Sequence, residues 1–378
     1  MNYEKKHGLT FDDLAEYTRD YFGLIIVPDA SMIVPEARMI RNNFSADIIV
    51  LDHHIIENEF FDKEKKKWIS REEAKEVYKV NKDKLQVDCY TNYCVAVNCT
   101  DGQYPNACLS GAGVVQKFIE AYINTYAEED GLNEELAEKY LDLVSLGINA
   151  DAMDLQSLES RYYVLEGMKD RNYNNEFLNE LVNRFAEDMK WGRYITSMSW
   201  TIAPKINGAI RYGKDEEQLD IFRAMLGVQE DREYQPRRKS KNDPKPPVET
   251  HSLQKTMARV AENIKSRQDT EVRKFVVELE KEITEKNLDK NSVLFVDGTK
   301  VLTKGTVTGL VANKLASKYF RPVVLLRSKD ATEYGGSCRG YDKGNISSIK
   351  DFLTEAGMEV KGQKWPITPF PFVNGVYR

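Results

Sequence analysis

The sequence predicts an α/β protein: a parallel-sheet domain joined by a long helical linker to a smaller α/β domain. Three observations carry this. The runs Leu24-Ile25-Ile26-Val27 and Ile48-Ile49-Val50-Leu51 are continuously apolar, as in strands covered on both faces. Residues 32–44 between them are long enough for a crossover helix, which makes the pair a βαβ unit. The same grammar returns late in the chain, with strands over 292–297 and 322–327 around a helix over 307–319. A length of 378 residues suits two or three domains.

Composition narrows the function classes. A net charge of −6 argues against wholesale coating of nucleic acid, although a local basic channel remains compatible with it. No apolar stretch is long enough for a transmembrane helix, and the polar start Met1-Asn2-Tyr3-Glu4-Lys5-Lys6 is not a signal peptide. Five cysteines, an odd number, fit a reducing cytoplasm better than a disulfide framework. Cys89, Cys94, Cys99 and Cys108 lie close together but form no Cys-x-x-Cys pair, so small buried residues are preferred to a zinc site.

In chain order, residues 1–22 suggest a short amphipathic helix feeding the first strand, which ends at Asp29. The second strand ends in Asp52-His53-His54, two of only four histidines in the chain. Ligands of open α/β sheets sit beyond the carboxyl ends of strands, and carboxylate plus imidazole is a set that first-row divalent metals accept. Residues 57–88 are strongly charged and suggest an exposed excursion, and 87–99 a strand or hairpin. Leu109-Ser110-Gly111-Ala112-Gly113 opens a helix; its small residues suit either an anion or tight packing on a sheet. A core-facing helix over 133–146 is expected to stop at Gly147, presenting Asp151 as a ligand or as the cap of the next helix.

Residues 156–230 are helical in pattern, interrupted by a compact insert over 200–213 in which Asn207 and Arg211 suit a phosphate or carboxylate. Residues 232–247 are basic and proline-rich, a flexible linker first and a strip for a nucleic-acid backbone second. A long helix from 253 to about 286 leads to the second domain. There Gly335-Gly336-Ser337-Cys338-Arg339-Gly340 suits a backbone-amide nest for phosphate or a plain turn. The boundaries expected are 1–190, a linker over 191–286, a second domain over 287–363 and an irregular tail over 364–378.

Asp29, Asp52-His53-His54 and Gly147-Ile148-Asn149-Ala150-Asp151 resemble motifs two, three and four of the DHH phosphoesterases. Leu109 to Val114 and Pro204 to Gly213 resemble segments of the RecJ-like exonuclease branch. Gly336-Ser337-Cys338-Arg339 resembles the Gly-Ser-x-Arg element of the family's DHHA1 substrate-binding domain. The resemblance implies a two-ion phosphodiester hydrolase using Mn²⁺, or Mg²⁺, on single-stranded nucleic acid. It implies that Asp29, His53 and Asp151 are metal ligands and that Asp52 and His54 are catalytic. Ser110, Gly111, Asn207, Arg211, Gly336, Ser337 and Arg339 would bind substrate.

Two departures stand out. The family's first motif, His-x-Asp-x-Asp, does not occur before Asp29, and its C-terminal glycine-rich segment with a histidine does not occur after Gly357. Both ends therefore resemble cuts in a longer phosphoesterase, with a second polypeptide one source of the missing strand. Two rival readings follow: a phosphodiesterase of short or cyclic oligonucleotides, and an inactive remnant that binds nucleic acid.

Overall fold

The computed structural model describes residues 9, 11–14, 23–30, 34–54, 60–62, 67–69, 85–86, 94–100, 104–169, 173–189, 194–238, 240–302, 305–328, 334–341, 343, 346 and 349–355. The expected tail over 364–378 lies outside them, as does most of the N-terminal segment. The chain divides into two units, Met1–Ala203 and Pro204–Arg378.

The first unit holds α1 (Phe11–Leu14), β1 (Leu24–Pro28), α2 (Val34–Phe44), β2 (Asp47–Asp52), β3 (Phe60–Asp62), β4 (Lys67–Ile69), β5 (Leu85–Gln86) and β6 (Cys94–Asn98). It continues with α3 (Gly111–Asp130), α4 (Leu141–Ala150), α5 (Leu158–Gly167), α6 (Glu176–Arg184), α7 (Tyr194–Ser197) and a π-helical turn, Met198–Ile202. The main sheet runs β1-β2-β6, all parallel, with β2 in the centre. Ile48 and Val50 are buried there beside Val27, Ile40 and Phe44, the βαβ core that the apolar runs foreshadow. Among the described residues β1 is an edge strand, and its Leu24 and Ile26 are exposed. The charged excursion contains a small antiparallel sheet, β4-β3-β5.

The helix expected to end at Gly147 runs through it to Ala150, preceded by 3₁₀ turns at Glu134–Leu136 and Glu138–Tyr140. Gly147 is there for packing: a Cβ on it would come within 2.7 Å of the Ala112 Cβ on α3. Its role is close helix approach rather than helix termination.

The second unit holds α8 (Ala203–Tyr212), α9 (Asp215–Met225), β7 (Asp231–Tyr234), β8 (Glu249–Ser252) and α10 (Leu253–Glu285). After α10 come β9 (Leu294–Asp297), α11 (Thr308–Tyr319), β10 (Val323–Ser328), β11 (Tyr334–Arg339) and α12 (Ile349–Glu355). The sheet order is β11-β10-β9, with β9 parallel and β11 antiparallel to β10. Val272, Phe275, Leu279 and Ile283 fall at helical spacing on α10 and bury one face of this sheet together with Val311 and Leu315 of α11. Ile349 and Leu353 of α12 join Val293, Val324 and Cys338 in a second cluster.

Three expectations change here. Residues 200–212 are helical, not an irregular insert; Pro204 follows directly on the π turn Met198–Ile202, inside the helical run rather than at its start. The basic linker is the loop of a hairpin, because β7 and β8 pair in four-residue register. The glycine-rich run is neither nest nor turn but strand β11: a Cβ on Gly336 would collide with the Leu325 carbonyl, so glycine lets the two strands approach.

Candidate metal centre

The site lies at the carboxyl edge of the β1-β2-β6 sheet. Asp29 follows β1 directly, and its N–H donates to the Leu51 carbonyl at 2.8 Å. Its φ of +50° is left-handed, a conformation costing a non-glycine residue roughly 1–2 kcal/mol, and it turns the chain at the strand end. Asp52 ends β2 and is buried; His53 is buried beside it and His54 is half-buried. Asp29, Asp52, His53 and His54 each offer one donor atom within 4.8 Å of the others.

Asp151 joins this group from α4. Its position is fixed by the helix ending: Ala152, at φ +52°, lets its N–H reach Asn149 and that of Met153 reach Ile148. Asp151 is therefore the C-cap of α4 and not the N-cap of the following helix. The His53 Nε2 stands 3.3 Å from Asp29 Oδ1 and 3.8 Å from Asp151 Oδ2. One imidazole nitrogen thus faces two carboxylates from different elements, an arrangement suited to a shared cation.

His54 Nδ1 pairs with Asp52 Oδ1 at 2.7 Å. Burial pushes the Asp52 carboxyl up, but the His54 hydrogen bond and charge and the N–H groups of His53 and His54 outweigh it and hold it low. The same hydrogen bond raises His54 against the opposing effect of burial, with further help from the charges of Asp29 and Asp151. Asp52 Oδ2 is buried with no hydrogen-bond partner among the described residues. A buried carboxylate oxygen without a donor is costly, and a divalent cation would satisfy it. The donor set of carboxylates and imidazoles fits Mn²⁺ or Mg²⁺ on this ground.

Two supports come from far along the chain. Asn98, at the end of β6 and paired in register with Asp52, donates to the His54 carbonyl at 2.8 Å and accepts from Thr100. A polar residue at the end of an apolar strand was its only sequence signal. Gly111 lies against Asp29: a Cβ there would be 2.5 Å from the Asp29 Cβ and closer still to the carboxylate. The loop leading to it is tied to α5, where Tyr104 and Asn106 both donate to Glu159 and Ser160 donates to the Cys108 carbonyl.

The expected substrate residues are distributed differently. Ser110 is wholly buried and its hydroxyl caps α3 by accepting from Gly113, so it serves the helix and presents nothing to solvent. Asn207 and Arg211 are exposed one turn apart on α8 in the second unit. Ser337 and Arg339 lie on the same face of β11, both buried, near the start of α11; a Cβ on Gly309 would be 2.8 Å from Arg339 Nη2. Gly336 is exposed on the opposite face. Cys99 and Cys338 are buried free thiols and Cys108 is half-buried. Among the described residues no helix is long and apolar enough to cross a membrane.

No protein-family model matches the chain. Over 357 residues, 94% of its length, it is 33% identical to the SPbeta prophage-derived YorK of Bacillus subtilis strain 168, and equally to yorK of Bacillus phage SPbeta. Each of these carries the name of a single-strand DNA-specific exonuclease, and the chain spans about half, 54%, of their length. In fold it matches the exonuclease RecJ bound to manganese, with a TM-score of 0.56 at 17% identity over 92% of this chain and 69% of that one. It also matches RecJ in complex with Mn²⁺ from Thermus thermophilus, with a TM-score of 0.57 at 16% identity over 93% of this chain and 42% of that one. The chain thus shares the fold of RecJ and is similar in sequence to two relatives named as single-strand DNA-specific exonucleases.

Proposed function

We propose that this chain provides the metal centre of a nuclease that hydrolyses phosphodiester bonds in single-stranded DNA. The observation that carries the reading is the convergence of Asp29, Asp52, His53 and His54 at one sheet edge, with a buried carboxylate oxygen that lacks a donor among the described residues. The names of the relatives support the substrate, and the manganese of the RecJ structures supports the ion. Mn²⁺ is the proposed cofactor and Mg²⁺ its alternative, with two ions in the complete centre.

Asp29, His53 and Asp151 would hold the cations, with His53 facing both carboxylates and Asp52 Oδ2 available beside them. Bound there, divalent cations supply charge neutralisation at the phosphate and lower the pKa of an attacking water. Asp52 orients His54 through Nδ1, so the ring meets a substrate through Nε2. Asn98 fixes the backbone beneath that ring. Asn207, Arg211, Ser337 and Arg339 would hold phosphates along the strand and so set its register rather than perform chemistry.

The experiment offers a labelled single strand, the matching duplex and a dinucleotide, each with Mn²⁺ and with chelator. Shortening of the single strand only when Mn²⁺ is present supports the proposal. Cleavage confined to the dinucleotide favours a short-oligonucleotide phosphodiesterase instead, and no metal-dependent cleavage of any substrate contradicts the activity.

A further inference from the structure

We propose that the β7–β8 hairpin grips the phosphate backbone of single-stranded nucleic acid, at residues distinct from the metal ligands. The inference rests on the chain acting on nucleic acid, but the hairpin itself supplies the argument. Residues 235–248 carry Arg237, Arg238, Lys239, Lys241 and Lys245 against one carboxylate, Asp243, in a chain whose net charge is −6. A flexible spacer would leave these charges mobile; this hairpin is pinned at four levels.

At the base, Arg232 pairs with Asp220 and Glu230, and Arg223 pairs with the same two carboxylates. On the stem, the Tyr234 ring stacks on His251 at 4.9 Å, and the Arg259 guanidinium lies 3.6 Å from the Tyr234 ring centre. At the neck, Gln235 donates to the Pro246 carbonyl at 2.7 Å. At the tip, the Ser240 N–H donates to Asp243 at 2.8 Å and the Asp243 N–H returns to Ser240. The single carboxylate of the loop is thus spent on its own turn.

Between neck and tip, Arg237, Arg238, Lys241 and Lys245 are all exposed. Among the described residues none of the four is paired with a carboxylate; Arg238 reaches only the Lys241 carbonyl. Pro236, Pro244, Pro246 and Pro247 stiffen both arms, so less ordering entropy is lost when an anion docks. The pattern fits repeated single negative charges presented along a chain. It lacks the large apolar side chains a lipid surface would take up, Val248 being the one aliphatic side chain in the loop.

The test is fluorescence anisotropy of labelled oligothymidylate binding to the full chain in EDTA over a salt series. The variant carries Arg237→Ser, Arg238→Ser, Lys241→Ser and Lys245→Ser; a control carries Arg273→Ser, Lys274→Ser and Lys281→Ser on the exposed side of α10. Each backbone phosphate contact contributes about 0.7 to the slope of log K against log salt for a single strand. The hairpin variant is expected to lose about 2–3 from that slope and roughly 100-fold in affinity near 0.1 M salt, with the control unchanged. An unchanged slope, an equal loss in the control, or hairpin-dependent binding to anionic phospholipid vesicles with none to the strand overturns the proposal. Binding is read without metal, so failure of the nuclease assay leaves this test intact, and a chain that cuts DNA with a hairpin-independent slope overturns the grip alone.

Discussion

Gly111→Ala adds a single methyl group and removes no ligand, which makes it a sensitive probe of the metal centre. The new Cβ would sit 2.5 Å from the Asp29 Cβ, where carbon–carbon contact is normally about 3.5–4 Å, so the two must part by about 1 Å. Asp29 is the side that yields. Its side chain is 55% exposed and can swing outward, whereas Gly111 is held in the first turn of α3 by the Ser110 cap. Metal–ligand distances tolerate only about 0.2 Å, so the displaced carboxylate leaves the cation.

Misplacing a supporting group at a metal site typically costs about 10–100-fold in affinity, and moving a ligand itself belongs at the upper end of that range. Stability should change little. Replacing glycine restricts the unfolded chain by about 0.4–1 kcal/mol, which offsets an off-rotamer Asp29 costing about 0.5–1.5 kcal/mol. The assay is Mn²⁺ affinity from the electron paramagnetic resonance of the free ion, paired with a thermal melt. A loss near 100-fold with Tm within a few degrees is expected. Unchanged affinity at unchanged Tm would refute both the ligand role of Asp29 and its contact with α3.

Asn98→Ala removes the bond to the His54 carbonyl and leaves the Thr100 N–H without its acceptor; denaturant titration should show about 1–3 kcal/mol of lost stability. Glu159→Gln tests the loop over 104–110. Burial raises the Glu159 carboxyl, but bonds from Tyr104, Asn106 and Lys117 prevail and hold it below its usual value. A depressed folded pKa stabilises the fold above the unfolded value and loses that contribution as pH falls through the folded one. The variant should therefore be less stable than the native chain at pH 7, with the gap closing in acid below the ordinary glutamate range of about 4.3. A gap independent of pH would contradict the assignment.

The legible parts of this molecule were those set by local pattern. The run from Ile48 to Leu51 announces a central strand because every one of its residues is apolar, and Asp52-His53-His54 falls at its end by simple continuation. The helical spacing of Val272, Phe275, Leu279 and Ile283 likewise marks the buried stripe of α10. The hidden parts depend on what lies opposite. Gly147 looked like a helix stop because glycine usually is one; only the proximity of Ala112 on another helix explains why the helix continues. Gly336 looked like part of a turn, and its neighbour Leu325 makes it a strand residue.

The hairpin was obscured for the same reason. Its paired strands, Asp231–Tyr234 and Glu249–Ser252, are short, polar and separated by prolines, so no alternation betrays them. Asn98 and Gly111 reach the candidate metal centre through pairing and packing with β2 and Asp29, which are distant in sequence. Ser110 shows a role that local pattern can reach: the hydroxyl that the resemblance assigns to substrate also accepts from the Gly113 N–H and caps α3.

Asp29 and His53 are proposed to hold the cation with which this chain cuts single-stranded DNA. The most direct measurement is the rate of Mn²⁺-dependent shortening of a labelled single strand by the native chain, Asp29→Ala and His53→Ala, each confirmed folded by its melt. Cleavage by the native chain is expected, with a loss of at least about 100-fold in both variants if Asp29 and His53 carry this role, the scale on which removing a catalytic electrostatic group is felt. Native rates in both variants would contradict it.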